Sequence, residues 1–174
     1  MSYPDQPYAG QPIPGIPLEP ASMSGPDEPY AQWWRRVVAV LVDNLLQLPF
    51  VVVSLIGSAL ATGHDATASD VIGGLVISIA AGIGSLWFAI WNQYVRQGRR
   101  GASLGKACVG ILVLSERDAR PIGGWMTFLR SWVHLVDAFS LGIGYLWPLW
   151  DAKRQTFADK LMNTVVLHLP DVRF

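Results

Sequence analysis

The stretch WWRRVVAVLVDNLLQLPF, residues 33–50, decides how this chain folds. It opens on two tryptophans and two arginines and then runs apolar, yet it carries Asp43, Asn44, Gln47 and Pro49. A helix in water turns such polar groups outward. The surrounding sequence predicts a different solvent. From Val37 to Leu60 there are 24 residues with one charge, and from Val71 to Ile90 there are 20 with none. At about 1.5 Å of rise per residue, either segment reaches across a hydrocarbon layer of about 30 Å. Asp43 does not forbid the first crossing. An acid near the bilayer centre costs roughly 2.5–3.5 kcal/mol, while each Leu, Ile, Val or Phe returns roughly 0.3–0.6 kcal/mol. Fifteen such residues lie between 37 and 60.

Composition agrees. Of 174 residues 51% are apolar and 15% charged, a low charged share for a soluble domain, and the 13 basic and 13 acidic side chains balance. That balance offers no electrostatic footprint for a nucleic-acid partner. The single cysteine, Cys108, excludes an internal disulfide framework and a Cys-based zinc site. The start, MSYPDQPYAG, has neither the basic region nor the apolar region of a signal peptide. Residues 1–32 hold 8 of the 12 prolines. They read as a disordered tail that buries too little to offset its ordering entropy, with polyproline II as its local structure. YPDQPYAGQPIPGIP in this tail suits the aromatic-lined groove of a protein partner, or serves as a tether.

Charge distribution orients the spans. All 13 basic residues lie outside 37–92, and the connector ATGHDATASD, 61–70, has none. The positive-inside rule then puts the N-terminus and residues 92–124 in the cytoplasm and the short connector outside. Trp33, Trp34, Trp87 and Trp91 fall at the same ends of the two spans, as an interfacial aromatic belt does. The third apolar region, 125–150, leaves two readings open. One straight crossing strands Lys153, Arg154 and Lys160 outside; a broken or re-entrant pair, interrupted at Ser140, Gly142, Gly144 and Pro148, returns the C-terminus to the cytoplasm. The charge rule favours the second. The fold class expected is an all-α membrane protein: transmembrane helices at about 37–60 and 71–91, a membrane-embedded region at 125–150, all within a domain at 33–168, and a short tail at 169–174.

Two polar stripes run through this apolar company. Arg36, Asp43 and Gln47 fall near one helical face, and Arg130, His134 and Asp137 occupy i, i+4 and i+7 of the third region. Intramembrane ionisable groups are costly, so Arg130 is the expected counter-charge of Asp43, either neutralising it structurally or serving a proton or cation path. Gly74, Ser78 and Gly82 step along one face of the second span, and Ala81, Ser85 and Ala89 along another. Such small residues allow close helix packing, or a homo-oligomer contact. GRRGASLGKACVGILVL, 98–114, is not a phosphate loop, since Arg100 and Ala107 stand where it needs Gly and a hydroxyl. Val109, Ile111 and Val113 alternate as in a short strand. Thr156 and Asp159 are spaced as a helix N-cap and its acid. No Ser/His/Asp set, metal-spaced His pair or nucleotide loop appears, so an enzyme, a metal and a cofactor are not expected.

Four motifs in order, RRVVAVLVD at 35–43, ASLGKACVGILV at 102–113, TFLR at 127–130 and KRQTFADKLMNTVV at 153–166, resemble the RDD family of small multi-pass membrane proteins. The resemblance covers about residues 33–168, and the Pro-rich tail ahead of the spans is similar to that of actinobacterial members, which implies a plasma (inner) membrane. It implies that Arg36 and Asp43 are the family arginine and first aspartate, and that Asp159, with Asp137 as its rival, is the second. Ala158 stands where members often have His, and Met162 with Asn163 where small residues are usual. The resemblance implies membrane transport, such as cation/proton exchange, as one activity. A non-transporting scaffold whose tail recruits a partner is the alternative.

Overall fold

The computed structural model describes residues 30–169, so most of the proline-rich tail and residues 170–174 lie outside the described residues. Helix α1 (Trp33–Leu45) is followed by α2 (Leu48–Ala61). The break between them has a cause in Pro49, near the start of α2, which has no N–H to give and crowds the carbonyl four residues back. Helix α3 (Ala68–Ile90) starts from a complete capping box, with Asp70 accepting from Thr67 N at 2.9 Å. It passes without a gap into a π-helical turn (Trp91–Arg96) and α4 (Gln97–Arg100). Two continuous segments, Trp33–Ala61 and Ala68–Arg100, are long and apolar enough to cross a membrane.

Helices α2 and α3 meet along small residues. A side chain on Gly74 would collide with the Gly57 carbonyl, and one on Gly57 with Ser78 at 2.6 Å. Ser78 Oγ donates to Ser54 O at 3.1 Å, and Ser85 Oγ to Gln47 Oε1 at 3.0 Å. Gly82, expected on this face, has open space where a side chain would stand, and buried Ala81 takes its place. Steps of four residues drift about 40° each around a 3.6-residue helix, so only the alternating steps 74, 78, 81, 85 stay on one face.

Helix α5 (Leu104–Cys108) leads into β1 (Ile111–Ser115), then α6 (Gly123–Phe139), α7 (Ile143–Leu146), a 3₁₀ turn (Trp147–Leu149), α8 (Phe157–Met162) and β2 (Thr164–His168). Strands β1 and β2 pair antiparallel, Ile111 opposite His168 and Ser115 opposite Thr164. The all-α expectation is corrected by this small sheet. Its alternation was legible in β1 alone, and the partner strand lies 53 positions downstream of it by the Ile111–Thr164 numbering. Ala31 N donates to Val166 O at 2.8 Å, and Val113 N to Gly101 O at 2.7 Å. The chain before α1, after α4, before α6 and after α8 is thus held at one end of the molecule.

That end is the core. Tyr30, Ala102, Leu112, Leu114, Val165 and Leu167 cover one face of the sheet, and Ala31, Ala39, Ile111, Val113 and Val166 the other. The helices are built the opposite way. In α6 the buried residues are Thr127, Arg130 and Asp137, while Trp125, Trp132 and Phe139 point outward, Phe139 at 83% exposure. In α1 Asp43 and Ala39 are inside and Val40, Leu41 and Leu45 outside. Apolar-out, polar-in helices are matched to a solvent of hydrocarbon.

Candidate functional site

Three buried carboxylates stand where the helices meet the sheet end. Asp43, from the last turns of α1, accepts four hydrogen bonds. Asn92 Nδ2 and Gly105 N reach Oδ1 at 2.8 Å each, and Ser103 Oγ at 2.6 Å and Gln93 Nε2 at 3.2 Å reach Oδ2. The π-helical turn supplies two of the donors, Asn92 and Gln93, from adjacent positions. Single π turns in a helix are frequent at functional sites for this kind of re-aiming. Asn92 also accepts Leu104 N through Oδ1 at 2.8 Å, so it bridges the helix and the start of α5. Gly105 is required here, because a side chain would strike the Ala39 carbonyl and the Asp43 carboxyl carbon.

Asp159, in the first turn of α8, gathers the charges. Arg36 Nη1 donates to Oδ2 at 2.6 Å, and Arg130 donates to Oδ1 through Nη2 at 2.5 Å and Nε at 3.0 Å. Thr164 Oγ1 adds a bond to Oδ1 at 3.1 Å and Thr156 N one to Oδ2 at 3.2 Å. Arg36 Nη2 also donates to Arg154 O at 2.5 Å. Burial opposes ionisation of Asp159, and the two guanidiniums more than offset it, holding the carboxyl far below the usual carboxylate range. Capping therefore explains only part of Asp159: the capping box with Thr156 is complete, and two ion pairs are built on it.

Asp137, fully buried on α6, accepts Phe157 N at 2.9 Å and Ala158 N at 3.3 Å through Oδ1, and its Oδ2 shares a 2.6 Å hydrogen bond with His134 Nδ1. It thus receives the first free N–H groups of α8, which a helix leaves unpaired. A side chain at Gly144 would run into Asp137, so α7 turns back directly over it.

The sequence placed Arg36 and Asp43 on one stripe and Arg130, His134 and Asp137 on another; both stripes do face the interior. The expected pairing of Arg130 with Asp43 is corrected. Arg130 is committed to Asp159, and Asp43 is met by uncharged donors. Gln47, on the same stripe as Asp43, meets α3 instead, its amide donating to the Ser85 carbonyl at 3.5 Å. Asn92, Gln93, Ser103 and Gly105 were missed as partners of Asp43. Their signal was present in WNQYVRQ, a polar run continuing an apolar helix, and in SLG just after it.

Lys106 lies within electrostatic reach of both charge centres. Its Nζ donates to Gln97 Oε1 at 2.5 Å, and burial, then repulsion from Arg130, lowers it to about 8. Among the described residues no group of three or more His, Cys, Asp or Glu side chains is placed to hold a metal ion.

A model described as RDD family matches residues 30–163 of the chain. Over 164 residues the chain is 41% identical to a protein named proline-rich antigen in Mycobacterium leprae, which takes in 85% of this chain and 65% of that one. Over 156 residues it is 35% identical to a proline-rich antigen homolog of Mycobacterium tuberculosis, taking in 80% and 64%. The chain thus spans a little under two thirds of those relatives' lengths. No solved structure matches it. The family match includes Arg36, Asp43, Arg130, Asp137 and Asp159, the whole of the buried charge network, and the chain belongs to the RDD family.

Proposed function

We propose that this chain is a non-transporting membrane scaffold, with no enzymatic step of its own, whose buried charges lock its helices to the sheet end. The observation that carries this reading is saturation of the carboxylates. A carboxylate has about four acceptor positions, and Asp43 has four protein donors while Asp159 has five. A cation or proton carried on either aspartate has to displace a protein donor first. Small-residue packing of α2 on α3 fills the space between the spans, and no internal repeat supplies the second half on which transporters commonly build a midplane site.

The pairing of the two strands supports a re-entrant third region. β1 precedes α6 and β2 follows α8, so the chain on either side of 125–150 is paired in one sheet, which favours a region that enters the bilayer and returns to the same side over a single crossing. The basic residues gathered at the sheet end support a cytoplasmic side for that end and for the N-terminal tail, at a plasma membrane. There the tail is available to a protein partner. Gly82, with open space where a side chain would stand, leaves room on α3 for a homo-oligomer contact.

Cation/proton exchange is the second reading, and one feature favours it: Lys106, an ammonium held by burial at about 8, lies close enough to Asp43 and Asp159 to feel the charge of both. Proton movement driven by Na⁺, K⁺ or Li⁺ gradients, measured in proteoliposomes with the wild type and Asp43→Asn, separates the two. The scaffold reading expects no cation-dependent signal from folded wild type. A signal abolished by Asp43→Asn replaces it with exchange.

A further inference from the structure

A pocket of about 360 Å³ opens at the sheet end, between the start of α1 and the turn after α7. Its walls are Trp33, Trp34, Trp150 and Pro148, with Gln32, Asp151 and Arg154 as the polar groups lining it. Trp34 is 48% exposed and Trp150 58%, so two indole faces stand open to an occupant. The pocket is held in shape. Trp33 Nε1 donates to Tyr145 O at 2.9 Å, tying α1 to α7, and the Arg35 guanidinium lies 4.6 Å from the Trp34 ring centre. The Trp34 indole donates to Gln32 Oε1, which leaves the Gln32 NH₂ to donate to a backbone carbonyl.

Flat aromatic walls with a side-chain donor are the means by which proteins hold polyproline II segments, whose rings stack and whose carbonyls are unpaired. Such a segment is close by. The described chain begins at Tyr30, two residues before the pocket lining at Gln32, so residues 1–29 start at its mouth. Within them Pro14, Pro17 and Pro20 stand three apart in PGIPLEP, and three residues per turn puts them along one edge. The ten residues from Pro20 to Tyr30 span up to about 33 Å when extended, enough to double back; Pro26 and Pro29 are too near the mouth to do so. Charge agrees. Residues 1–29 carry four acidic side chains and no Lys or Arg, whereas residues 30–169 carry twelve basic against eight acidic.

We propose that the Trp33, Trp34, Pro148 and Trp150 pocket is the docking site for this chain's own Pro14–Pro20 segment. Glu19 then lies toward Arg154 and the nearby Arg35, on a rim whose one acid, Asp151, is paired with Lys160, and a partner that reads the tail competes with the pocket for it. The test uses the full chain in lipid nanodiscs with a photoreactive benzoylphenylalanine in place of Ile16, between two of the prolines. Irradiation is expected to join position 16 to the 147–154 or 32–35 peptides of the same chain, independent of protein concentration. The yield falls by about tenfold in Trp150→Ala, the scale set by losing one aromatic anchor of a docked segment. It falls equally when Pro14, Pro17 and Pro20 are all replaced by Ala, a change outside the described fold that leaves the pocket intact. Cross-links to lipid, to a second copy, or scattered evenly over residues 30–169 overturn the assignment. Docking is read from cross-link position and transport from flux, so either fails without the other.

Discussion

Asp159 and Asp43 look alike in sequence, each an acid near apolar residues, and they differ in what surrounds them. Asp159 is ionised against two guanidiniums. Replacing it by Asn leaves Arg36 and Arg130 buried without a counter-charge, and breaking a buried ion pair from one side costs about 3–5 kcal/mol. Asp159→Asn is therefore expected to lower the thermal unfolding midpoint in detergent sharply. Asp43→Asn keeps the shape but puts an NH₂ among groups that are all donors, a mismatch of about 1–3 kcal/mol, so its midpoint falls by less. Equal losses would mean that the two sites are not distinguished by charge. Lys106 supplies a pH signature. Its folded value, about 8, lies below its ordinary 10.5, so between these the unfolded chain binds more protons and stability rises with pH through that window. Unfolding midpoints compared between pH 7.5 and 10 are expected to rise more in the wild type than in Lys106→Met. Parallel curves would contradict the burial of its ammonium. None of these environments could be read from one-dimensional spacing. The stripes showed which side chains face inward, but the partner of Arg130 sits 29 positions away on a helix of six residues.

Among the elements, the two long apolar segments were legible because hydrocarbon solvent writes its requirement into every residue along them. Their interruptions were partly legible. Pro49 marks the break between α1 and α2, and Gly142, with φ 81, lies in the break between α6 and α7, one of the interruptions the sequence marked within 125–150. The π turn at Trp91–Arg96 carried no such residue, and strand β2 was hidden in a stretch whose plainest signal is helix capping. Close approach of elements gives the next test. Gly105→Ala drives a methyl into the α1 backbone, and overpacking of this kind costs about 1–3 kcal/mol. Gly74→Ala meets the Gly57 carbonyl and the Ala61 backbone and is expected to cost a similar amount. Gly82→Ala, facing open space, is expected to change stability by no more than about 0.5 kcal/mol. Unfolding of the three variants in one detergent checks the order. A Gly82→Ala loss as large as that of Gly74→Ala would move the helix contact to the other face.

At the scale of the molecule, the core and the membrane segments obey opposite rules. The sheet end buries apolar side chains as a soluble domain does, and the helices bury charge and expose apolar surface. The charge network is the joint between these halves: Arg36 comes from α1, Arg130 and Asp137 from α6, and all three converge on the short helix that carries Asp159 into β2. If that joint is structural, releasing it loosens the sheet end and leaves the spans packed. Hydrogen exchange of the protein in nanodiscs, wild type against Asp159→Asn, measures this most directly. A structural lock predicts that protection falls in β1 (111–115), α8 and β2 (164–168) while 48–61 and 68–90 exchange as before. Unchanged protection at the sheet end would contradict it, and would hand the charge network back to transport.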